Sequence, residues 1–306
     1  MNDLPLSDAG LETPSEPVTL LRTALYVPGS NQRALDKALS LGADALILDL
    51  EDSVAPEAKE SARASVLSFL KSTQRERNRP PQVSVRINPL TSPLWRVDVE
   101  TLLEGEPDAL VIPKVDSAAM MEPLLERMPE NAPQLWPMIE SPQAVLDAST
   151  IAGLPHVTTL VMGTSDLFKS MRPFDHSLNQ ERTDRRMFHV ALQHAVLAAR
   201  ARAVRILDGV WVDLADPEGF MSECREGLSL GFDGKTVIHP KQVMPANRVF
   251  LPDAGTVRQA QKVLAAWKRS RQSGEEICTL DGVLVERLHA EDAARVIRIH
   301  QAGTGQ

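Results

Sequence analysis

Eight short apolar runs, separated by stretches of helical periodicity, constrain this chain more than any other feature. They are ALYVPG from Ala24, ALILDLED from Ala45, VSVRIN from Val83, ALVIPKV from Ala109, LWPMIES from Leu135, TTLVMGTSD from Thr158, ILDGVWVD from Ile206 and GFDGKTVIHP from Gly231. Near-continuous apolar runs of this length suit strands covered on both faces by helices. Between them, residues 31–44 and 59–72 read as amphipathic helices. The alternation is βαβα and places the chain in the α/β class. Eight units over about 230 residues fit a TIM (β/α)8 barrel, and no GxGxxG follows the first run to open a dinucleotide site. The barrel is expected over residues 20–252. Beyond Pro252 one helix runs to Gly274, followed by the short stretch ICTLDGVLVE and a helix from about Ala290 to His300. This extension, 253–306, is too small to fold alone and is expected to act as a helical tail or lid on the barrel or on a neighbouring subunit. Residues 1–19, rich in acids, Pro and Ser, are expected to form a disordered tail.

Composition narrows the partners. Acidic residues outnumber basic ones by 41 to 33, for a formal charge of −8, which argues against a nucleic-acid or anionic-membrane surface. No run of about 18 apolar residues exists to span a membrane, and the N-terminus lacks the basic and apolar regions of a signal peptide. Cys224 and Cys278 stand apart, with no CxxC or Cys/His cluster. A cytoplasmic protein acting on small molecules is expected.

In such a barrel the chemistry lies at the C-terminal ends of the strands. Polar residues collect there: Asp49, Glu51 and Asp52; Arg86 and Asn88; Lys114; Glu140 and Ser141; Ser165 and Asp166; Asp213; His239. Glu140 and Asp166 stand one βα unit apart, on what read as adjacent strand ends. Two carboxylates with open positions commonly hold Mg2+, although each could equally cap the following helix. Arg86, inside an apolar run, either clamps a substrate oxygen or pairs with Asp49 or Glu51, and it can do both. Glu51 or Asp52 could support the metal's water or Arg86, while Asp52 could also be a plain helix cap. His239 is better read as satisfied by backbone beside Pro240 than as a general base. Arg22, Ser30, Asn31, Arg33 and Lys37 surround the first strand-to-helix turn, where they could meet phosphates or simply be solvated.

Together the segments LYVPGSN, GADALILDLEDSVAP, VRIN, PKV, MIESPQAV, GTSDL, DGVWVD, GFDGKTVIHPKQV and, in the tail, LDG resemble the citrate lyase β-subunit-like members of the HpcH/HpaI aldolase group. That group includes malyl-, citramalyl- and citryl-CoA lyases. The resemblance covers residues 22 to about 285. It implies a TIM barrel that holds Mg2+ with Glu140 and Asp166, binds substrate oxygens with Arg86, and meets the phosphates of coenzyme A near Arg33 and Lys37. It implies that Asp281 of the LDG segment reaches a neighbouring subunit's site in a trimer or hexamer. The expected activity is Mg2+-dependent cleavage or formation of a carboxylated 3-hydroxyacyl-CoA, giving acetyl-CoA or a related acyl-CoA and a 2-oxo acid. Arg86, Asp281, Asp49 and Glu51 are the expected catalytic residues. The alternatives are a CoA-independent pyruvate-type aldolase, an acyl-CoA thioesterase and a partner-dependent, non-catalytic CoA-binding subunit. The chain departs from the group at Val190-Ala191-Leu192, where Tyr-Ala-Arg is common, and at FKSMRPFD after GTSDL.

Overall fold

A computed structural model describes residues 18–73, 81–172 and 185–304. The expectation of a disordered tail and the latter part of FKSMRPFD fall largely outside these residues. All eight expected strands form, in chain order, one closed parallel barrel: β1 Thr23–Pro28, β2 Ala45–Asp49, β3 Gln82–Arg86, β4 Ala109–Ile112, β5 Gln134–Ile139, β6 Thr159–Met162, β7 Arg205–Asp208 and β8 Gly234–Val237. The helices that lead from each strand to the next are α1 Gln32–Ala38, α2 Lys59–Ser72, α3 Leu94–Leu103, α4 Ala118–Leu125, α5 Pro142–Ala152, the pair α6 Thr164–Met171 and α7 His189–Ala201, and α8 Pro217–Leu230. Helix α9, Pro240–Val249, follows β8. This is the TIM-barrel fold.

The side-chain period of two sorts each strand. Inward residues, among them Ala24, Tyr26, Ala45, Ile47, Ala109, Val111, Trp136, Met138, Val161 and Leu207, fill the barrel as one cluster. The outward alternates, such as Leu46, Leu48, Val83, Val85, Leu110 and Leu160, join the larger core beneath the helices. Alanines on three strands beside the fully buried Trp136 are the small-against-large packing that a close-packed interior requires. Truncating Trp136 to Ala would cost about 3–5 kcal/mol.

Four of these helices begin where a polar side chain accepts from the first turn: Asn31 for α1, Ser141 for α5, Asp216 for α8 and His239 for α9. Helix α1 is shorter than expected. It ends at Ala38, where the Ser40 amide and hydroxyl both bond the Lys37 carbonyl, and Gly42 turns the chain at φ +74°. Arg22 does not join the turn after β1. It precedes the strand, at the opposite end of the barrel, with Nε and Nη2 each 2.8 Å from Asp44. Asp213 likewise does not end a strand, since β7 stops at Asp208.

Residues 21–250 form one compact unit, and the described residues from Leu251 onward belong to a second. In the second unit Asp253 caps α10, Ala254–Gln272, which leads into the hairpin β9 Ile277–Leu280 and β10 Val283–Glu286 and then α11, Arg287–Thr304. The final helix is longer than expected. Ala260, Leu264, Trp267, Val285, Ala290, Ala293 and Ala294 make the core of this unit. Asp281 and Gly282 form the hairpin turn at φ +52° and +81°, the paired left-handed conformation of a two-residue loop.

Candidate active site

An open pocket of about 410 Å³ lies at the C-terminal strand ends, lined by Tyr26, Pro28, Asp49, Asp52, Ser53, Arg86, Met138, Glu140, Met162, Gly163, Thr164, Ser165, Asp166, Val210, Thr236 and Ile238. It brings together Asp49, Asp52, Arg86, Glu140, Ser165 and Asp166 of the sequence-predicted residues.

Arg86 ends β3 in register with Asp49, the last residue of β2. That pairing makes their ion pair bidentate, Nε to Oδ1 at 2.6 Å and Nη2 to Oδ2 at 2.8 Å. Nη1 lies 3.0 Å from Glu51 Oε2, and the guanidinium rests on the Tyr26 ring, 4.9 Å from its centroid. The salt-bridge reading of Arg86 is therefore correct, and N–H groups on its terminal nitrogens remain for a further acceptor. Burial favours the neutral form of Asp49, but the Arg86 guanidinium and the Ser53 and Glu51 amides outweigh it and hold the carboxyl below its usual range. Glu51 is raised instead, because burial outweighs Arg86 and Lys114. Asp52 is exposed and caps no helix. The residue before the turn of helix that opens at Pro56 is Ala55.

Glu140 follows β5, and Ser141 rather than Glu140 caps α5. The Lys114 backbone N–H donates to Glu140 Oε1 at 2.5 Å from a left-handed conformation, φ +55°. The Lys114 ammonium reaches Glu51 Oε1 at 2.5 Å and Asp52 at 3.5 Å. Gly163 leaves the space that Glu140 occupies, since a Cβ there would strike the carboxylate. Asp166 sits in the first turn of α6 rather than on a strand end, the correction to the sequence reading. Burial, then the charges of Asp166 and Glu51, push Glu140 up to about 7 despite the Lys114 amide. Two mutually repelling carboxylates on an open pocket could hold a hard divalent cation that keeps water and substrate oxygens in its remaining positions. Among the described residues no group of three or more His, Cys, Asp and Glu could hold a metal, so the pair would need those outside oxygens.

Arg33 and Lys37 are exposed on α1 and Asp281 is exposed at its hairpin turn; none of them lines this pocket. His239 accepts the Lys241 amide through Nδ1 at 3.1 Å as part of a capping box with Gln242, as the backbone-satisfied reading expected. Asn88 is buried and anchors the chain after β3 by giving its amide groups to Asp98, which also holds Arg63. Sequence reasoning missed Tyr26, Met138 and Thr236. Their inward register on strands already identified was the available signal. It also missed Asp208 and Lys235, buried charges outside the barrel wall that pair at 3.1 Å, with Arg185 on Asp208 at 2.5 Å and Glu223 on Lys235 at 2.5 Å.

Residues 22–240 match the family model described as HpcH/HpaI aldolase/citrate lyase. The chain is 39% identical over 277 residues to a (3S)-malyl-CoA thioesterase of Cereibacter sphaeroides, covering 90% of this chain and 93% of that protein. It is 32% identical to an L-malyl-CoA/β-methylmalyl-CoA lyase of the same species, covering 93% and 96%. The crystal structure of CitE from Mycobacterium tuberculosis with magnesium, acetoacetate and coenzyme A is similar at a TM-score of 0.76 and 26% identity, over 91% of this chain and 97% of that one.

Proposed function

The chain belongs to the HpcH/HpaI aldolase/citrate lyase family, and from that premise we propose that it is an Mg2+-dependent carbon–carbon lyase. Its substrate would be a carboxylated 3-hydroxyacyl-CoA, cleaved reversibly to acetyl-CoA or a related acyl-CoA and a 2-oxo acid. The observation that carries this reading is the convergence of Glu140, Asp166 and Arg86 on one pocket. Magnesium and coenzyme A are present in the similar CitE structure. Glu140 and Asp166 would hold the ion, which supplies Lewis-acid polarisation of an oxo or hydroxyl oxygen when bound.

The protein's own groups do the rest. Cleavage takes the proton from the 3-hydroxyl, makes that carbon a carbonyl and sends the electron pair of the broken carbon–carbon bond into the thioester enolate. The enolate carbon then takes a proton. Arg86, locked by Asp49 and Glu51, presents its remaining N–H groups to the oxygen where charge develops, with no reorganisation at the moment of reaction. Asp49 and Glu51 thus act by positioning Arg86. Asp281 of a neighbouring subunit, in a homo-oligomer such as a trimer or hexamer, is assigned proton delivery to the enolate and removal in the synthetic direction. Arg33 and Lys37 are assigned to the coenzyme A phosphates.

A thioesterase is the second reading, favoured by the relatives of that name, which are 37–39% identical to this chain. Malyl-CoA separates the two. Incubation with Mg2+ yields acetyl-CoA and glyoxylate if the lyase reading holds. Release of free CoA and malate, with no acetyl-CoA at any time, overturns it in favour of hydrolysis.

A further inference from the structure

The floor of the pocket carries a polar group that the reading above does not use, the hydroxyl of Tyr26. Tyr26 is the single tyrosine of the chain. It lies on an inward position of β1, and its hydroxyl contacts the Met138 thioether at 3.9 Å. A thioether at that distance is a weak acceptor. Met138 is on β5, on the far side of the closed strand order from β1, so the phenol crosses the barrel and forms the floor. On the inward face of the strands the pocket is lined by Met138 and Thr236, and Thr236 donates its hydroxyl to the Asp208 carbonyl at 3.0 Å. The nearby carboxylates are also engaged, Asp49 by Arg86 and Glu140 by the Lys114 amide. Burial raises the phenol above its ordinary range, so it stays a neutral donor at physiological pH.

An O–H donor held beneath Arg86, with no strong acceptor among the described residues, is a preformed place for a substrate oxygen. We propose that the Tyr26 hydroxyl binds the 2-oxo acid half of the substrate by donating to a carboxylate oxygen, and that Met138 faces its carbon substituent. Tyr26 is then a specificity-determining residue for a short, sparsely substituted 2-oxo acid. The inference rests on the reading of this pocket as the oxo-acid site.

Tyr26→Phe removes one oxygen and keeps the ring under Arg86. With Mg2+ present, the Kd of the variant for the preferred oxo acid, among glyoxylate, pyruvate and oxaloacetate, should rise about tenfold or more, the effect of losing a hydrogen bond to a charged group. Its Mg2+ affinity and Tm should stay at the wild-type values, which a role confined to packing would not leave untouched. Because the chain has one tyrosine, biosynthetic 3-fluorotyrosine labels this position alone, and its fluorine resonance should shift when the oxo acid is added to the Mg2+-loaded protein. An unchanged Kd in the variant together with an unmoved resonance overturns the proposal, as does a loss of Mg2+ affinity that parallels the loss of oxo-acid binding. These readouts do not depend on turnover. A shifted resonance in a protein that never cleaves an acyl-CoA would sink the lyase reading and leave Tyr26 as an oxo-acid ligand, whereas turnover with Tyr26→Phe indistinguishable from wild type would do the reverse.

Discussion

At the scale of single residues, Arg86 and Glu140 are each held by a partner that leaves part of the group free. Arg86 is fixed on one edge by Asp49 and on its face by Tyr26. Lysine cannot reproduce a bidentate, stacked contact. Arg86→Lys should therefore lower kcat/KM about 100-fold or more while Mg2+ affinity changes little, as steady-state kinetics and calorimetry would measure. Glu140→Gln or Asp166→Asn should instead weaken Mg2+ binding by at least about tenfold, since each removes a charged oxygen donor from a pair that has few others. Equal Mg2+ affinity in both variants would show that the ion is held elsewhere. The ionic residues of the pocket were legible in the sequence because a charge that ends an apolar run is conspicuous. Tyr26 was not, because a tyrosine in a strand reads as ordinary core until the register shows which way it faces.

At the scale of elements, the existence and order of the strands were legible, since both faces of each are covered, but the last two runs overshot: β7 stops at Asp208 rather than Asp213, and β8 spans only Gly234–Val237. Helix ends were less so. Asp166 read as a strand end because nothing in GTSDL announces that α6 starts at Thr164, directly after Gly163. Asp208 and Lys235 were overlooked for a related reason: lone charges within β7 and β8 make sense only when the neighbouring strands and α8 bring their partners. Both are fully enclosed, with Arg185 and Glu223 completing the group. Burial works against the charge on Asp208, but Lys235 and Arg185 win and lower its pKa, while Asp208 and Glu223 raise that of Lys235. The sign follows from linkage. The depressed Asp208 contributes stability above about pH 4 that is lost as pH falls through its folded-state value, and the raised Lys235 contributes below about pH 10 and loses it as pH rises through its own. Asp208→Asn, which leaves a buried ammonium short of a partner, should cost about 3–5 kcal/mol near neutrality. Urea denaturation across pH should show that difference shrinking toward acid. A constant difference at all pH values would mean that packing rather than charge is responsible.

At the scale of the whole molecule, the order of eight strand–helix units on the sequence was enough to specify the barrel, because a closed parallel sheet is the simple way to bury so many two-sided strands. The second unit was legible as two helices around a short stretch, ICTLDGVLVE, but that the stretch is a hairpin was not, because four-residue strands flanking a two-residue turn carry little periodicity of their own. The assignment of Asp281 to a neighbour's site makes a prediction at this scale. Glu140→Gln and Asp281→Asn proteins, each inactive alone, should regain up to about one quarter of wild-type activity after subunit exchange at equal concentrations, the statistical share of sites with both native residues. No recovery after verified exchange would place Asp281 and Glu140 in the same subunit's chemistry or remove Asp281 from it. The central claim, that this barrel makes and breaks a carbon–carbon bond at an Mg2+ site, is tested most directly by condensation. Acetyl-CoA is incubated with glyoxylate, pyruvate or oxaloacetate, with Mg2+ or with EDTA, and the acyl-CoA pool is read by mass spectrometry. The account predicts a condensed hydroxyacyl-CoA with one oxo acid, abolished by EDTA and by Glu140→Gln; no condensed product with any of the three from a protein that binds Mg2+ and acetyl-CoA would contradict it.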